Sequence, residues 1–437
     1  MTGSSTSSTK VSNIRNGADI PTGSVVKRQV CVIGSGPAGV TAAWHLKKAG
    51  IDVVLIEGSR FDSGAGVQCG DPWPDMPPME ASWADKALLY AGEATGVFAS
   101  IEPNFLIQPY TGQSSNAWER ERILGGTSTH WGGQSRPLAP IVFEDRPGYP
   151  GWPITRADLD PYYARAVDFC RLYANEFGPE YWAGVLQAKV PVLQDFDVEM
   201  YQFIGEAFRN SSTRAFPDGT TLADCGVDVI LNASLQRIEP ADGRVQRLRV
   251  ASMTTDTSKP PQVATRFHIE ADAYILACGA VANAHQLLLS NIGNEHDQVG
   301  RYFMCHPLSS NGVVFVEAAS YLDADEQRLM EGQLPSGQRW SAPGTCVTAN
   351  ARFVPTDEAQ RREGIGACWF WAGGGQCYFE MASNPDSRIT LLDSVDQVFG
   401  LPQVRIDWQL SPQDQKTYET TTRLYTRPSP RAAVRSR

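Results

Sequence analysis

The 437-residue sequence predicts an α/β fold that opens with a parallel sheet covered on both faces and continues into a second, sheet-rich α+β region. Three observations carry this expectation. The β-branched run "RQVCVIG" leads into the helix formers "PAGVTAAWHLKKAG" and then into a second apolar run, "IDVVLIE". Strand, helix and strand within about 30 residues make a βαβ unit with a parallel pair. Both runs are apolar at nearly every position, as strands buried on both faces must be. After about Ser310, short apolar runs alternate with Gly and Pro breaks, the pattern of a separate region built from strands.

The elements follow in chain order. The opening "MTGSSTSSTKVSNIRNG" is Ser/Thr-rich and lacks an apolar h-region, so residues 1–28 are expected to form a disordered tail rather than a secretory leader. The first strand is expected near residue 29, and Gly50 ends the helix that follows it. From Phe61 to about Ser100, Gly, Pro and Trp predict irregular connections with short helices. "GWPITRADLDPYYARAVDFC" predicts a helix with Thr155 as N-cap and Asp158 three residues on. "CGVDVILNASLQRIEPADGRVQRLRVAS" alternates apolar and polar residues around "ADGR" and predicts a β-hairpin. "DAYILACGAVANAHQLLLS" predicts a buried strand running into a helix. The ending "TRLYTRPSPRAAVRSR" has five arginines and no acidic residue, and it is expected to form no packed element.

Composition narrows the function. A formal net charge of -10 argues against a dedicated nucleic-acid or anionic-membrane surface. No apolar run is long enough to cross a bilayer, so a soluble, cytoplasmic protein is expected. The nine cysteines (Cys31, Cys69, Cys170, Cys225, Cys278, Cys305, Cys346, Cys368, Cys377) form no CxxC pair and no zinc spacing. Buried, reduced thiols are the expectation, with no bound metal.

The turn between the first strand and helix reads "GSGPAG" and fits G-x-G-x-x-G at Gly34, Gly36 and Gly39. Gly34 permits the tight turn, Gly36 lets the backbone approach a pyrophosphate, and Gly39 lets helix and strand pack closely. The helix N-terminus then offers free N–H groups and its positive dipole end to the phosphates. The second strand ends in Glu57, placed to accept hydrogen bonds from adenosine ribose hydroxyls and to disfavour a 2′-phosphate. The motif by itself leaves FAD and NAD both open.

With that unit at the start, "GGTSTHWGG" in the middle and "ILACGAVANAHQLL" later, the chain resembles the glucose–methanol–choline (GMC) family of FAD oxidoreductases from about residue 29 to about residue 415. "GWPITRADLDPYY", "VGRYFMCHP" and "NPDSRITL…GLPQVRIDWQLSPQD" belong to the same resemblance. Within the family, "STHW" is most similar to pyranose oxidase-like sugar oxidases, where the histidine of this tetrapeptide is joined covalently to the flavin 8-methyl group. The resemblance therefore implies FAD as cofactor and His130 as its covalent anchor. A non-covalent flavin contact and a purely structural histidine are the alternatives at His130. Gly125 and Gly126 would let the backbone lie against the cofactor, Thr127, Ser128 and Thr129 would offer hydroxyls and amides to it, and Trp131 completes the contact loop. Backbone near Val229 is expected at the adenine, and Ala277 and Gly279, in "LACGAV", at the turn beneath the cofactor. His285 and His306 are read as satisfied polar groups. Trp369 and Trp371 are candidates for a substrate-facing aromatic wall.

The resemblance divides the chain into a Rossmann-like FAD-binding domain over 29–150 and 225–310 and a substrate domain over 151–224 and 311–383. Residues 384–437 would begin the C-terminal GMC segment, with the arginine-rich ending read as a truncated terminus. Two departures stand out. Gly132 occupies the position where those sugar oxidases carry Thr, and no histidine follows His306, so the family's C-terminal catalytic histidine has no counterpart and no catalytic base is assigned. The implied activity is oxidation of an alcohol, a sugar or glycoside hydroxyl, to a carbonyl by hydride transfer to flavin N5, with oxygen or another acceptor taking the electrons. The competing expectations are a truncated flavoprotein that binds FAD without turnover and an NAD-linked dehydrogenase.

Overall fold

The computed structural model describes residues 13–60, 93–97, 122–129, 131–204, 214–256, 259–309, 322–345, 347–370 and 377–426. Order begins earlier than the expected residue 29. Strand β1 spans Ile14–Asn16, β2 Val25–Ile33, α1 Pro37–Lys48 and β3 Val53–Ile56. The disordered-tail expectation is therefore corrected over 13–28. β1 pairs in parallel with Val229–Leu231, and Asp228 takes charged hydrogen bonds from Arg15 and Arg28. A three-residue strand beside a Ser/Thr-rich stretch carries too little periodicity to be read.

The remaining strands are β4 (Glu93–Val97), β5 (Gln134–Ser135), β6 (Phe196–Phe203), β7 (Asp228–Leu231), β8 (Ser234–Ala241), β9 (Arg244–Met253), β10 (Val263–Leu276), β11 (Leu308–Ser309), β12 (Thr348–Pro355), β13 (Cys368–Phe370), β14 (Cys377–Phe379), β15 (Arg388–Val395) and β16 (Pro402–Gln409). The further helices are α2 (Arg156–Cys170), α3 (Pro179–Leu186), α4 (Ala280–Ser290), α5 (Ala324–Glu331), α6 (Asp357–Glu363) and α7 (Pro412–Tyr425).

The first sheet runs β1-β7-β3-β2-β10-β9-β8, parallel from β1 to β10 and antiparallel beyond. Its centre is covered on both faces, as the apolar runs require. Val53 and Leu55 pack with Val40, Ala43 and Trp44 of α1, while Val54 and Ile56 pack with Leu235, Val250 and Phe267 on the other side. All four residues of β3 are fully buried, each contributing roughly 1.5–3 kcal/mol.

The expected hairpin over 225–252 is real only in its second half. β8 and β9 pair antiparallel, but β7 joins the parallel sheet beside β3. Asn232 makes the break between them, in the left-handed region at φ 54. Its side chain is held by both backbone groups of Met253. Alternation of apolar and polar residues cannot show which neighbour a strand chooses.

The second sheet, β11-β14-β13-β12-β6-β5, is antiparallel. One face packs Phe196, Met200, Ala351, Phe353, Phe370 and Phe379 against residues of α3, α5 and α7. A third, small sheet, β15-β16-β4, sets Ile389, Val404 and Ile406 against Val281 and Ala284 of α4. The capping box predicted at Thr155 and Asp158 opens α2.

Two boundaries shift. Phe169 and Phe216 stack at 5.8 Å against Trp44, so part of 151–224 belongs to the core of the first sheet. At the other end, α7 reaches Tyr425 and buries Leu424 and Tyr425 in the second sheet's core. The expectation of an unpacked ending is corrected for residues 422–426. No helix among the described residues is long and apolar enough to cross a membrane.

Candidate functional site: a glycine-lined cleft at the ends of the parallel strands

A cleft of about 510 Å³ opens where β2, β3 and β10 end and α1 and α4 begin. Its walls include Gly34, Gly36, Glu57, Gly125, Gly126, Thr127, Ser128, Ala277 and Gly279. Segments more than 200 residues apart in sequence thus meet at one place, outside the carboxyl ends of parallel strands, where open α/β sheets hold ligands.

The first glycines act as the motif demands. Gly34 has φ +99, and a Cβ on Gly39 would sit 1.9 Å from the Gly34 carbonyl oxygen. Gly39 lines no part of the cleft; it lets α1 close on the turn. A Cβ on Gly36 or Gly279 would meet nothing within 4 Å, so these positions border open space. Both are N-caps, of α1 and α4, and neither has a side-chain cap. Two helix N-termini therefore turn unsatisfied N–H groups and positive dipole ends toward one cleft. That arrangement fits an anionic pyrophosphate.

Glu57 is nearly buried, and its carboxylate is held in place. Ser35 donates to Oε2 through Oγ at 2.6 Å and through its amide at 3.2 Å, and the Ser59 amide donates to Oε1 at 2.9 Å. A carboxylate has about four acceptor positions, so capacity remains for a ligand hydroxyl. Ser35 Oγ also accepts the Gly125 amide at 2.9 Å, and Ser128 Oγ donates to the Gly125 carbonyl at 2.6 Å. Arg122 donates to the Gly58 carbonyl at 2.7 and 3.1 Å and to the Ser234 hydroxyl. A Cβ on Gly58 would stand 2.6 Å from the Arg122 guanidinium, too close for ordinary contact. Cys278 lines the cleft too, with its thiol pushed up to about 12, first by burial and then by the Glu57 charge.

Several expected residues lie elsewhere. Val229 is fully buried in the core of the first sheet, paired with Ile14 and Leu55, and does not reach the cleft. Ala233, Ser234 and Leu235 line it instead, because β8 starts there after the Asn232 turn. Thr129 is buried behind the wall, its Oγ1 without a hydrogen-bond partner among the described residues. Trp131 is exposed. His130 and Trp371 lie outside the described residues. His285 is satisfied by the Pro402 carbonyl at 2.7 Å, as expected. Sequence reading missed Ser35, Arg122 and the Phe303–Cys305 segment. Only their positions hinted at a role, inside "GSGPAG", at the head of "RILGG" and within "VGRYFMCHP". Among the described residues, no cluster of His, Cys, Asp and Glu is arranged to hold a metal ion.

Two family models match parts of this chain. The FAD dependent oxidoreductase family model matches residues 29–92, the βαβ unit with its glycines. The GMC oxidoreductase model matches 198–308, from β6 through α4 to the "VGRYFMCHP" segment. A curated relative, 6'''-hydroxyparomomycin C oxidase from Streptomyces lividus, is 31% identical over 146 residues, which is 31% of this chain and 21% of that protein. The chain thus matches about a fifth of that relative's length. Among solved structures, pyridoxine 4-oxidase from Mesorbium loti is 14% identical with a TM-score of 0.44, covering 93% of this chain and 81% of that one. A formate oxidase is 13% identical with a TM-score of 0.48, covering 93% and 82%. An FAD dependent oxidoreductase match thus falls on the glycine turn and a GMC oxidoreductase match on segments that close the cleft, and over those residues the chain is similar to FAD-dependent oxidoreductases of the GMC type.

Proposed function

We propose that this cleft holds FAD and that the protein oxidises an alcohol, a sugar or glycoside hydroxyl, to a carbonyl, with oxygen or another acceptor taking the electrons. The observation that carries the reading is the pair of uncapped helix N-termini at Gly36 and Gly279 facing a cleft that also contains Glu57. The N-termini receive the pyrophosphate, and Glu57 receives the adenosine ribose. Bound FAD supplies the hydride acceptor for the carbon that bears the substrate hydroxyl. The loop of Gly125–Ser128, which lines the cleft, would hold its backbone against the cofactor, and His130, two residues further on, would anchor the flavin covalently.

The sugar preference rests on the second sheet. Trp369 and Tyr378 are cross-strand partners with rings stacked at 4.3 Å, on the face opposite the helices. His306, one residue beyond the cleft-lining Cys305, sets its ring 5.4 Å from Tyr378. A flat aromatic surface beside the cleft suits the C–H face of a sugar ring. The curated relative's name, the oxidase of a hydroxyl-bearing compound, supports the same class.

Acid precipitation of the purified protein tests the anchor: yellow colour stays with wild-type polypeptide and leaves with His130→Ala. Anaerobic titration with sugars and simple alcohols tests the reaction. A sugar bleaches the flavin absorbance. A protein that stays yellow with every alcohol overturns the activity, and one that never acquires flavin overturns the cofactor site.

A further inference from the structure

We propose that Ser35 is a positioning residue that couples the adenosine end of the cleft to the loop 122–129. The proposal rests on the reading of the cleft as an FAD site.

Ser35 occupies a variable place in the glycine motif, where spacing alone assigns it no task. In the structure it is 1% exposed and bridges two walls. Its Oγ–H goes to Glu57 Oε2 and its oxygen lone pair to the Gly125 N–H. Its amide binds the same carboxylate oxygen. Gly125 is therefore held on both sides, by Ser35 at its N–H and by Ser128 at its carbonyl. The next turn is closed by the Gly126 amide on the Ile123 carbonyl at 2.7 Å. The same loop starts at Arg122, clamped to Gly58, the residue after Glu57.

The consequence is a short, buried chain of hydrogen bonds from carboxylate to hydroxyl to loop amide. A ligand hydroxyl that engages Glu57 restricts that carboxylate, the restricted carboxylate restricts the Ser35 hydroxyl, and the hydroxyl restricts Gly125. Ordering at one end lowers what the other end must lose on binding, which makes the two ends cooperative without any large movement. Removing the hydroxyl cuts the chain at its middle and leaves both ends otherwise intact.

The test uses flavin-free full-length chain and AMP, which reaches the ribose site with a single phosphate. Backbone hydrogen exchange is followed in 34–40 and in 122–129. In the wild type, AMP is expected to slow exchange in both segments at least fivefold. In Ser35→Ala, AMP still slows exchange in 34–40, while the effect on 122–129 falls below twofold. Protection of 34–40 without 122–129 in the wild type overturns the coupling. Full protection of 122–129 in Ser35→Ala also overturns it, because direct contact with the nucleotide would then explain the effect. If AMP protects neither segment of the wild type, the cofactor reading falls together with the coupling. Should Ser35→Ala not fold, Ser35→Thr replaces it, with protection of 122–129 expected to be retained and its loss counting against the proposal.

Discussion

Gly36 and Gly39 belong to one motif, yet the structure gives them separate tasks that substitution should separate. A Cβ at Gly39 would stand 1.9 Å from the Gly34 carbonyl oxygen, and ordinary contact begins at 3.4 Å. Helix α1 and the turn must then part by about 1.5 Å, at a place where both partners are backbone and neither can rotate away. Such overpacking costs up to about 3 kcal/mol, and the better helix propensity of Ala returns about 1 kcal/mol. Gly39→Ala should therefore lose about 2 kcal/mol net and, for a chain of 437 residues, melt about 2 °C lower. At Gly36 the backbone is at φ -64 and ψ 176, which Ala adopts freely, and its Cβ would point into open space. Gly36→Ala should melt within about 0.5 kcal/mol of wild type while binding ADP about tenfold more weakly, about 1.4 kcal/mol. Thermal melts by circular dichroism and calorimetric titration of flavin-free protein with ADP measure both. An unchanged melt for Gly39→Ala, or a melt for Gly36→Ala as low as that of Gly39→Ala, would refute the division of labour.

Three further outcomes are expected. Burial raises the Asp228 carboxyl, and the bonds from Arg15 and then Arg28 outweigh it and hold the group below its ordinary value. Its contribution is thus present above the unfolded value of about 3.9 and lost as pH falls through the folded one. Asp228→Asn should cost about 1–2 kcal/mol at neutral pH, and denaturation at acid pH should show the gap to wild type closing. Ser411→Ala removes the capping box that starts α7 and should cost about 1 kcal/mol in a urea melt. Trp369→Ala should raise KM for the sugar about tenfold with flavin content unchanged, checked by steady-state kinetics and the absorbance ratio. An unchanged KM would remove the stacking role.

How far the sequence reaches depends on what kind of contact is at stake. The βαβ unit was legible because strict burial of β3 on both faces leaves no room for polar residues. The start of α2 was legible because a capping box is local. β1 and β7 were not, since their pairing joins chain segments more than 200 residues apart and local alternation suits a hairpin equally well. Val229 was misplaced for the same reason: the backbone that lines the cleft comes after the Asn232 turn, not before it. Ser35 and Arg122 stayed hidden because their partners, Glu57, Gly58, Gly125 and Ser234, come together only in three dimensions. Glycine spacing announced the cleft, while the bonds that hold its walls left no spacing of their own.

The second sheet hangs from the cleft by its two outermost strands. β5 follows the Gly125–Thr129 loop within a few residues, and β11 follows the Phe303–Cys305 segment in the same way. The inner strands, β14, β13, β12 and β6, attach to the rest of the chain elsewhere. Side chains on the face of those strands turned away from the helices, Trp369 and Tyr378 among them, can therefore change without disturbing the core packed on the other face, like panels in a frame whose two posts are fixed. A lineage under pressure to accept a new substrate has one face of four strands to rewrite before it must touch a residue that lines the cleft.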